Sequence, residues 1–137
     1  KKMSKSELSD FSRINLTDNK DQIINKIKKA KTDPLPMPKT IKELDERLEA
    51  KNLIGIYASL TNLTLEKSVE SFVGKNFSEF KKKLSVALID KIEPISIEIK
   101  KLLDDQSYLD KILLDGVEKA SLIAFKKIKR IKEIVGF

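Results

Sequence analysis

The chain has 137 residues, of which 40% are hydrophobic and 36% charged, and its 28 basic and 21 acidic side chains give a net charge of +7. Its length suits one domain with one modest core, and its charge favours partners that carry phosphate. Because the sequence contains neither cysteine nor histidine, disulfide scaffolds, thiolate metal sites, cysteine nucleophiles and histidine bases are excluded.

The hydropathy pattern favours a mainly helical protein outside the membrane. No apolar run reaches the roughly 18 residues that a membrane-spanning helix needs, and the lysine-rich start lacks the apolar segment of a signal peptide. We therefore expect a cytoplasmic protein without a membrane partner. Four glycines and four prolines are too few for a sandwich or barrel with many hairpins.

The first predicted helix follows a polar start. The first seventeen residues are rich in hydroxyl groups and lack helical periodicity, so we predict a loop that leads into a short extended segment. Asp18 and Asp21 resemble a capping box, and apolar residues at helical spacing follow from Ile23 to Ala30. We predict a helix over 18–31. Its lysines are expected to form a solvated face: Lys20, Lys26, Lys28, Lys29 and Lys31.

The next segment, residues 33–51, is predicted to be a connector. Three prolines at alternate positions in residues 34–38 remove backbone donors and disfavour helix in the residues before them. Charged side chains dominate the remainder of the segment. Helical spacing of apolar residues returns between Leu53 and Leu60, which predicts a helix there.

Two capping signals organise the middle of the chain. Thr64 is predicted to begin a short helix, which Gly74 ends in a left-handed conformation. Asn76 with Glu79 resembles a capping box at the start of the longest apolar stripe. Because a proline inside a helix removes a hydrogen bond and clashes with the preceding turn, we predict a kink or break at Pro94.

The last part of the chain is predicted to contain a further turn and a long helix. Ser107 with Asp110 is expected to open the turn, and Asp115 with Gly116 to close it. The final helix begins at Val117, and its apolar residues recur at helical spacing. They are Ala120, Ala124, Ile128, Ile131 and Val135. The whole pattern predicts a mainly α protein, a helical bundle with short connections.

A basic face on this final helix is a candidate surface for RNA. At about 100° per residue, Lys119, Lys126 and Arg130 lie within about 40° of one another, opposite the apolar face. We predict that they contact RNA, with a solvated face as the alternative. Three aromatic residues are further candidates for stacking on unpaired bases, although core packing is favoured for each: Tyr57, Phe77 and Tyr108.

The beginning of the chain carries the strongest chemical pattern. In Lys2-Met3-Ser4-Lys5-Ser6, two ammonium groups lie three positions apart, with hydroxyl and backbone N–H groups between them. Such a loop can wrap a polyphosphate, and lysine can follow a phosphate as it moves. The alternative is a charged tail.

This pentapeptide resembles the KMSKS signature of class I aminoacyl-tRNA synthetases. The rest of the chain, over essentially all 137 residues, is similar to the region that follows the signature in bacterial tryptophanyl-tRNA synthetases. The similar segments, in chain order, are residues 12–18, 27–33, 52–57, 80–81, 92–95, 113–120 and 135–137. Members of this family also have a Rossmann-type half with a histidine-rich nucleotide motif, and a chain without histidine cannot contain that motif.

The resemblance implies a C-terminal portion of a synthetase that starts at the signature. Residues 1–17 would be the KMSKS loop and the end of a Rossmann-type catalytic domain that is otherwise absent. Residues 18–137 would be a helical domain of the anticodon-binding type. The fragment alone is expected to be inactive and to bind no cofactor tightly, and no resident metal site is predicted.

The resemblance further implies a tryptophan-tRNA ligase. ATP with Mg²⁺ would activate tryptophan, which then passes to tRNA(Trp), with ATP and tryptophan bound through the missing catalytic half of a homodimeric parent. Lys2 and Lys5 would be catalytic, and Met3, Ser4 and Ser6 would complete the ATP-binding loop. Tyrosyl-tRNA synthetase, a non-catalytic RNA-binding module and a plain structural bundle are the alternatives.

Overall fold

The computed structural model describes residues 9–136, and within this range the chain is helical and contains no strand. The predicted mainly α fold is confirmed. A 3₁₀ turn at Asp10–Ser12 is followed by six α-helices. They are α1 (Lys20–Lys29), α2 (Ile41–Asp45), α3 (Leu48–Thr61), α4 (Leu65–Glu70), α5 (Phe77–Asp104) and α6 (Gln106–Val135).

The chain divides into two compact units, Lys1–Ile97 and Glu98–Phe137. The first contains a hydrophobic core to which α1, α2, α3, α4 and α5 all contribute buried side chains. At its centre lies Phe80, whose ring makes edge contacts with Phe72 at 4.9 Å and with Tyr57 at 6.0 Å between centroids. Phe77 is also buried here, so core packing of Tyr57 and Phe77 is confirmed.

The second unit consists of the end of α5 and the whole of α6. Helix α6 has no buried residue among those described, so Tyr108 is exposed and the favoured core packing is wrong for this residue. The exposed apolar side chains of α6 include Ile112, Leu113, Leu114, Val117, Leu122, Ile123, Phe125, Ile128, Ile131, Ile134 and Val135. Across the described residues, no helix combines the length and the apolar composition that crossing a bilayer requires.

Several local predictions agree with the structure. Thr64 begins α4 and accepts a hydrogen bond from the backbone N–H of Lys67. Gly74 has the predicted left-handed φ of +77°, but it does not end the helix, because α4 ends at Glu70 and Gly74 closes the turn that follows. Asn76 and Glu79 accept hydrogen bonds from each other's backbone N–H groups at the start of α5. Each of these predictions depends only on residues that are close together in the chain.

The first helix begins at Lys20, two residues later than predicted, and ends at Lys29, two residues earlier. Its cap is Asn19, which exchanges hydrogen bonds with Gln22 in a capping box. Asp18 does not cap the helix, because its carboxylate accepts hydrogen bonds from Asn15 and from Lys26 instead. The predicted solvated face is also wrong for Lys26, which is buried.

A break at Pro94 and a helix end at Gly116 are both absent, whereas a kink at Pro94 stays a prediction. Helix α5 continues through Pro94, and side chains on both sides of it, Leu88 and Ser96, are buried in the first unit. Helix α6 continues through Gly116, since one glycine inside a helix costs only about 1 kcal/mol relative to alanine. Its cap is Asp105, which accepts the Tyr108 N–H at 3.0 Å, so no separate turn opens at Ser107.

Candidate functional site

The residues of the predicted phosphate-binding signature, Lys2, Met3, Ser4, Lys5 and Ser6, lie outside the described residues. The described part begins at Ser9, which accepts a hydrogen bond from the Phe11 N–H in the 3₁₀ turn.

An ion cluster links this turn to α1. Lys26 Nζ lies 2.6 Å from an oxygen of Asp18 and 2.6 Å from an oxygen of Asp10. Asn15 donates its backbone N–H to Asp18 and its side-chain amide to Asp10, at 2.9 and 3.0 Å. Arg13 forms a second ion pair with Asp10, at 3.1 Å. The segment that follows the signature is therefore held against α1 by a buried lysine and two carboxylates.

The charges in this cluster stabilise one another. Hydrogen bonds from Lys26 and then from Asn15 hold the pKa of Asp10 below its usual value. Burial alone would lower the pKa of Lys26, but its hydrogen bonds to Asp10 and Asp18 outweigh burial, and the pKa is raised. Asp10 and Lys26 are thus ionised near neutral pH.

A second network fixes the proline-rich connector. Arg47 donates two hydrogen bonds to the carboxylate of Asp33, at 2.6 and 2.9 Å, and one to the Pro36 carbonyl at 2.7 Å. The bond from Arg47 lowers the pKa of Asp33. The region predicted as a charged connector therefore contains ordered structure, namely α2 and the start of α3.

A groove of about 660 Å³ lies within the first unit and is lined by residues of α1 and α5 and by Thr32. Lys81 crosses from α5 and donates to the carbonyls of Lys28 and Ala30 at the end of α1, at 3.3 and 2.6 Å. Burial lowers the pKa of Lys81. The lining residues are Ile24, Lys28, Thr32, Phe77, Ser78, Lys81, Lys82, Ser85, Val86 and Ile89.

The basic face of α6 differs from this groove. Lys119 pairs with Asp115 at 2.6 Å, one helical turn away. Lys126 and Arg130 are exposed, and neither forms an ion pair among the described residues. RNA contact by Lys119, Lys126 and Arg130 stays a prediction.

Sequence reasoning missed both the buried lysine and the groove. Helical spacing was a usable signal for Lys26, which lies three residues after Ile23 and one before Ile27, on the buried side of α1. The groove had no such signal, because Lys28 and Lys82 are far apart in the chain and meet only through packing. No group of three metal-ligating side chains occurs in residues 9–136.

Comparison with known proteins identifies the class. Residues 1–92 match the model of the family described as class I tRNA synthetases (W and Y), and the chain belongs to this family. Proteins named tryptophan–tRNA ligase are similar along the whole chain. Those of Mesorhizobium japonicum and Caulobacter vibrioides are 44% and 46% identical over 136 residues, and that of Rickettsia felis is 46% identical over 137.

These matches cover 99%, 99% and 100% of this chain but 38%, 40% and 41% of the three relatives. The chain thus spans about two fifths of the length of the relatives, and corresponds to their C-terminal part.

Proposed function

We propose that this chain is the part of a tryptophan–tRNA ligase that contributes the phosphate-binding signature and the helical domain. The observation that carries the proposal is identity of 44–46% to three proteins of that name over nearly the whole chain. The lysine-rich signature at Lys2–Ser6 and the net charge of +7 suit ATP and RNA as substrates.

In the proposed reaction, a carboxylate oxygen of tryptophan attacks the α-phosphorus of ATP. The bond from that phosphorus to the bridging oxygen of the β-phosphate breaks, and pyrophosphate leaves. The 3′-terminal ribose hydroxyl of tRNA then attacks the tryptophanyl carbonyl and releases AMP. Lys2 and Lys5 follow the leaving pyrophosphate, so catalysis rests on positioning and on stabilising the developing phosphate charge.

The remaining signature residues complete the ATP site. Ser4 and Ser6 contribute hydroxyl or backbone contacts, and Met3 anchors the loop through its apolar side chain. Mg²⁺ enters with ATP and is held mainly by phosphate oxygens and water. In this proposal residues 1–17 end the catalytic domain and 18–137 form the helical domain of a cytoplasmic homodimer, with Lys119, Lys126 and Arg130 as candidate tRNA contacts.

Tryptophan-dependent pyrophosphate exchange by the full-length synthetase tests this function. We expect exchange with tryptophan and none with tyrosine, the second amino acid that the family includes. Lys5→Ala should slow adenylate formation about a hundredfold, since a charge-assisted contact made in the transition state contributes about 3 kcal/mol. Lys2→Ala should act in the same direction less severely.

Lys67→Ala, on α4, is the matched control and should exchange at the wild-type rate. The 137-residue chain alone should show no exchange. Exchange with tyrosine instead of tryptophan would reassign the substrate, and an unchanged rate for Lys5→Ala would remove this lysine from the reaction.

A further inference from the structure

The segment that follows the signature is anchored to α1 within a few residues. Asp10, which lies five residues after Lys5, pairs with Lys26 of α1 at 2.6 Å and accepts a hydrogen bond from the side-chain amide of Asn15 at 3.0 Å. Five residues span at most about 18 Å when fully extended. The anchor at Asp10 therefore limits how far Lys5 can lie from α1.

Lys26, on the helix side of this anchor, is itself held in place. It lies between Ile23 and Ile27, which are buried in the core of the first unit, and its own side chain is buried. Besides Asp10, its ammonium group binds the buried carboxylate of Asp18 at 2.6 Å. Lys26 thus connects residue 10 to the hydrophobic core through two charged contacts.

Stability does not explain why Asp10 belongs to this cluster. The carboxylate of Asp18 already compensates the buried charge of Lys26, whereas the Asp10 side chain is 47% exposed. An ion pair with a partner this exposed contributes little to stability, because water screens it. What the Lys26–Asp10 pair supplies is a fixed distance between α1 and the residues that follow the signature.

We propose that Asp10 and Lys26 are positioning residues for adenylate formation. Their pair fixes the end of the signature segment, so that the ammonium group of Lys5 reaches the leaving pyrophosphate from a constant anchor. A contact made in the transition state depends steeply on position, and a misplacement of about 1 Å can cost about a hundredfold in rate. The inference rests on the proposed function, because it assigns a support to a lysine that acts in that reaction.

Tryptophan-dependent pyrophosphate exchange by the full-length synthetase tests the pair. Asp10→Ala keeps the buried Lys26–Asp18 pair, so the fold tolerates it, and it should slow exchange roughly tenfold while leaving the KM for tryptophan unchanged. Asp10→Glu keeps the charge and should restore most of the rate. Asp45→Ala is the matched control, since this carboxylate is 52% exposed and pairs with Lys51 at 2.8 Å, and it should exchange at the wild-type rate.

A double-mutant cycle with Lys5 separates positioning from a general structural defect. If Asp10 acts through Lys5, Asp10→Ala should slow the Lys5→Ala enzyme by about twofold or less, because the contact that it supports is already absent. A structural defect would instead lower the rate by the same factor in both backgrounds.

Three results would overturn the positioning role: a wild-type rate for Asp10→Ala, equal slowing by Asp10→Ala and Asp45→Ala, or the same loss in both Lys5 backgrounds. In each case the proposed function stands, since the wild-type enzyme still exchanges with tryptophan and Lys5→Ala is still slow. Absence of tryptophan-dependent exchange by the wild-type enzyme, or a wild-type rate for Lys5→Ala, would contradict the proposed function and this inference with it.

Discussion

Residues 9–97 and helix α6 both contain apolar residues at helical spacing, but the burial of these residues differs between the two regions. Ile23 and Ile27 on α1 recur at helical spacing and are buried, whereas Ile128 and Ile131 on α6 recur at similar spacing and are exposed. The pattern defines which face of a helix is apolar. Whether that face is buried depends on a partner surface, which residues 9–97 supply for α1.

The same contrast holds for ion pairs. Lys26–Asp18 and Lys119–Asp115 both have an N–O distance of 2.6 Å, yet the side chains of Lys26 and Lys119 are 7% and 73% exposed. An exposed pair is screened by water and contributes little, whereas breaking a buried pair leaves a charge without compensation. Distance alone therefore does not rank these interactions.

The largest expected effect tests burial directly. Phe80→Ala, at a residue with no exposed surface, should lower the free energy of unfolding by about 3–5 kcal/mol through lost burial and a cavity. Phe125→Ala, at a residue 72% exposed on α6, should change it by less than about 0.5 kcal/mol. Denaturant unfolding followed by circular dichroism measures both. Comparable losses would show that α6 has a partner surface in solution.

A smaller effect is expected from the ion pairs. Lys26→Met should destabilise the chain by about 2–3 kcal/mol, because it leaves the buried carboxylate of Asp18 unpaired while the exposed Asp10 can be solvated. Lys119→Met should cost less than about 0.5 kcal/mol. The same unfolding titration compares them, and equal costs would contradict the argument from burial.

Acid pH should weaken the first unit in particular. The pKa values of Asp10 and Asp33 are lowered in the folded chain, so their stabilisation is present above about pH 3.8 and is lost as pH falls towards the folded-state values. Unfolding free energy measured from pH 6 to pH 2 should therefore decrease below about pH 4. Asp10→Asn with Asp33→Asn should flatten this decrease. A profile that the double variant leaves unaltered would contradict the assignment.

The smallest expected effect concerns glycine within helices. A Cβ at Gly55 or Gly116 would meet no atom within 4 Å, so alanine should stabilise each helix by about 0.5–1 kcal/mol. Gly55→Ala should raise the global unfolding free energy, because α3 is part of the core. Gly116→Ala should slow amide exchange only in α6. Global stabilisation by both variants would mean that the two regions unfold together.

The candidate site was predictable only where it is contiguous in sequence. The signature Lys2–Ser6 is a local motif, so its chemistry could be read directly from the residues. The groove depends on Lys28 and Lys82, which α1 and α5 bring to one cavity. Capping and periodicity cannot reveal such a pairing, because they describe one helix at a time.

The sequence by itself determined the helix starts that local hydrogen bonds fix, as at Thr64 and the capping box of Asn76 with Glu79. Tertiary structure decided the outcome where a local preference and a contact with a distant part of the chain favour different structures. The sequence pattern predicts Lys26 as a surface charge, whereas in the structure Lys26 pairs with Asp10 and Asp18. Helix α5 continues through Pro94 because burial on both sides of the proline outweighs the lost hydrogen bond. Local propensities are worth about 1 kcal/mol or less for most residues and about 3 kcal/mol for proline, so packing decides the outcome where burial contributes several kcal/mol.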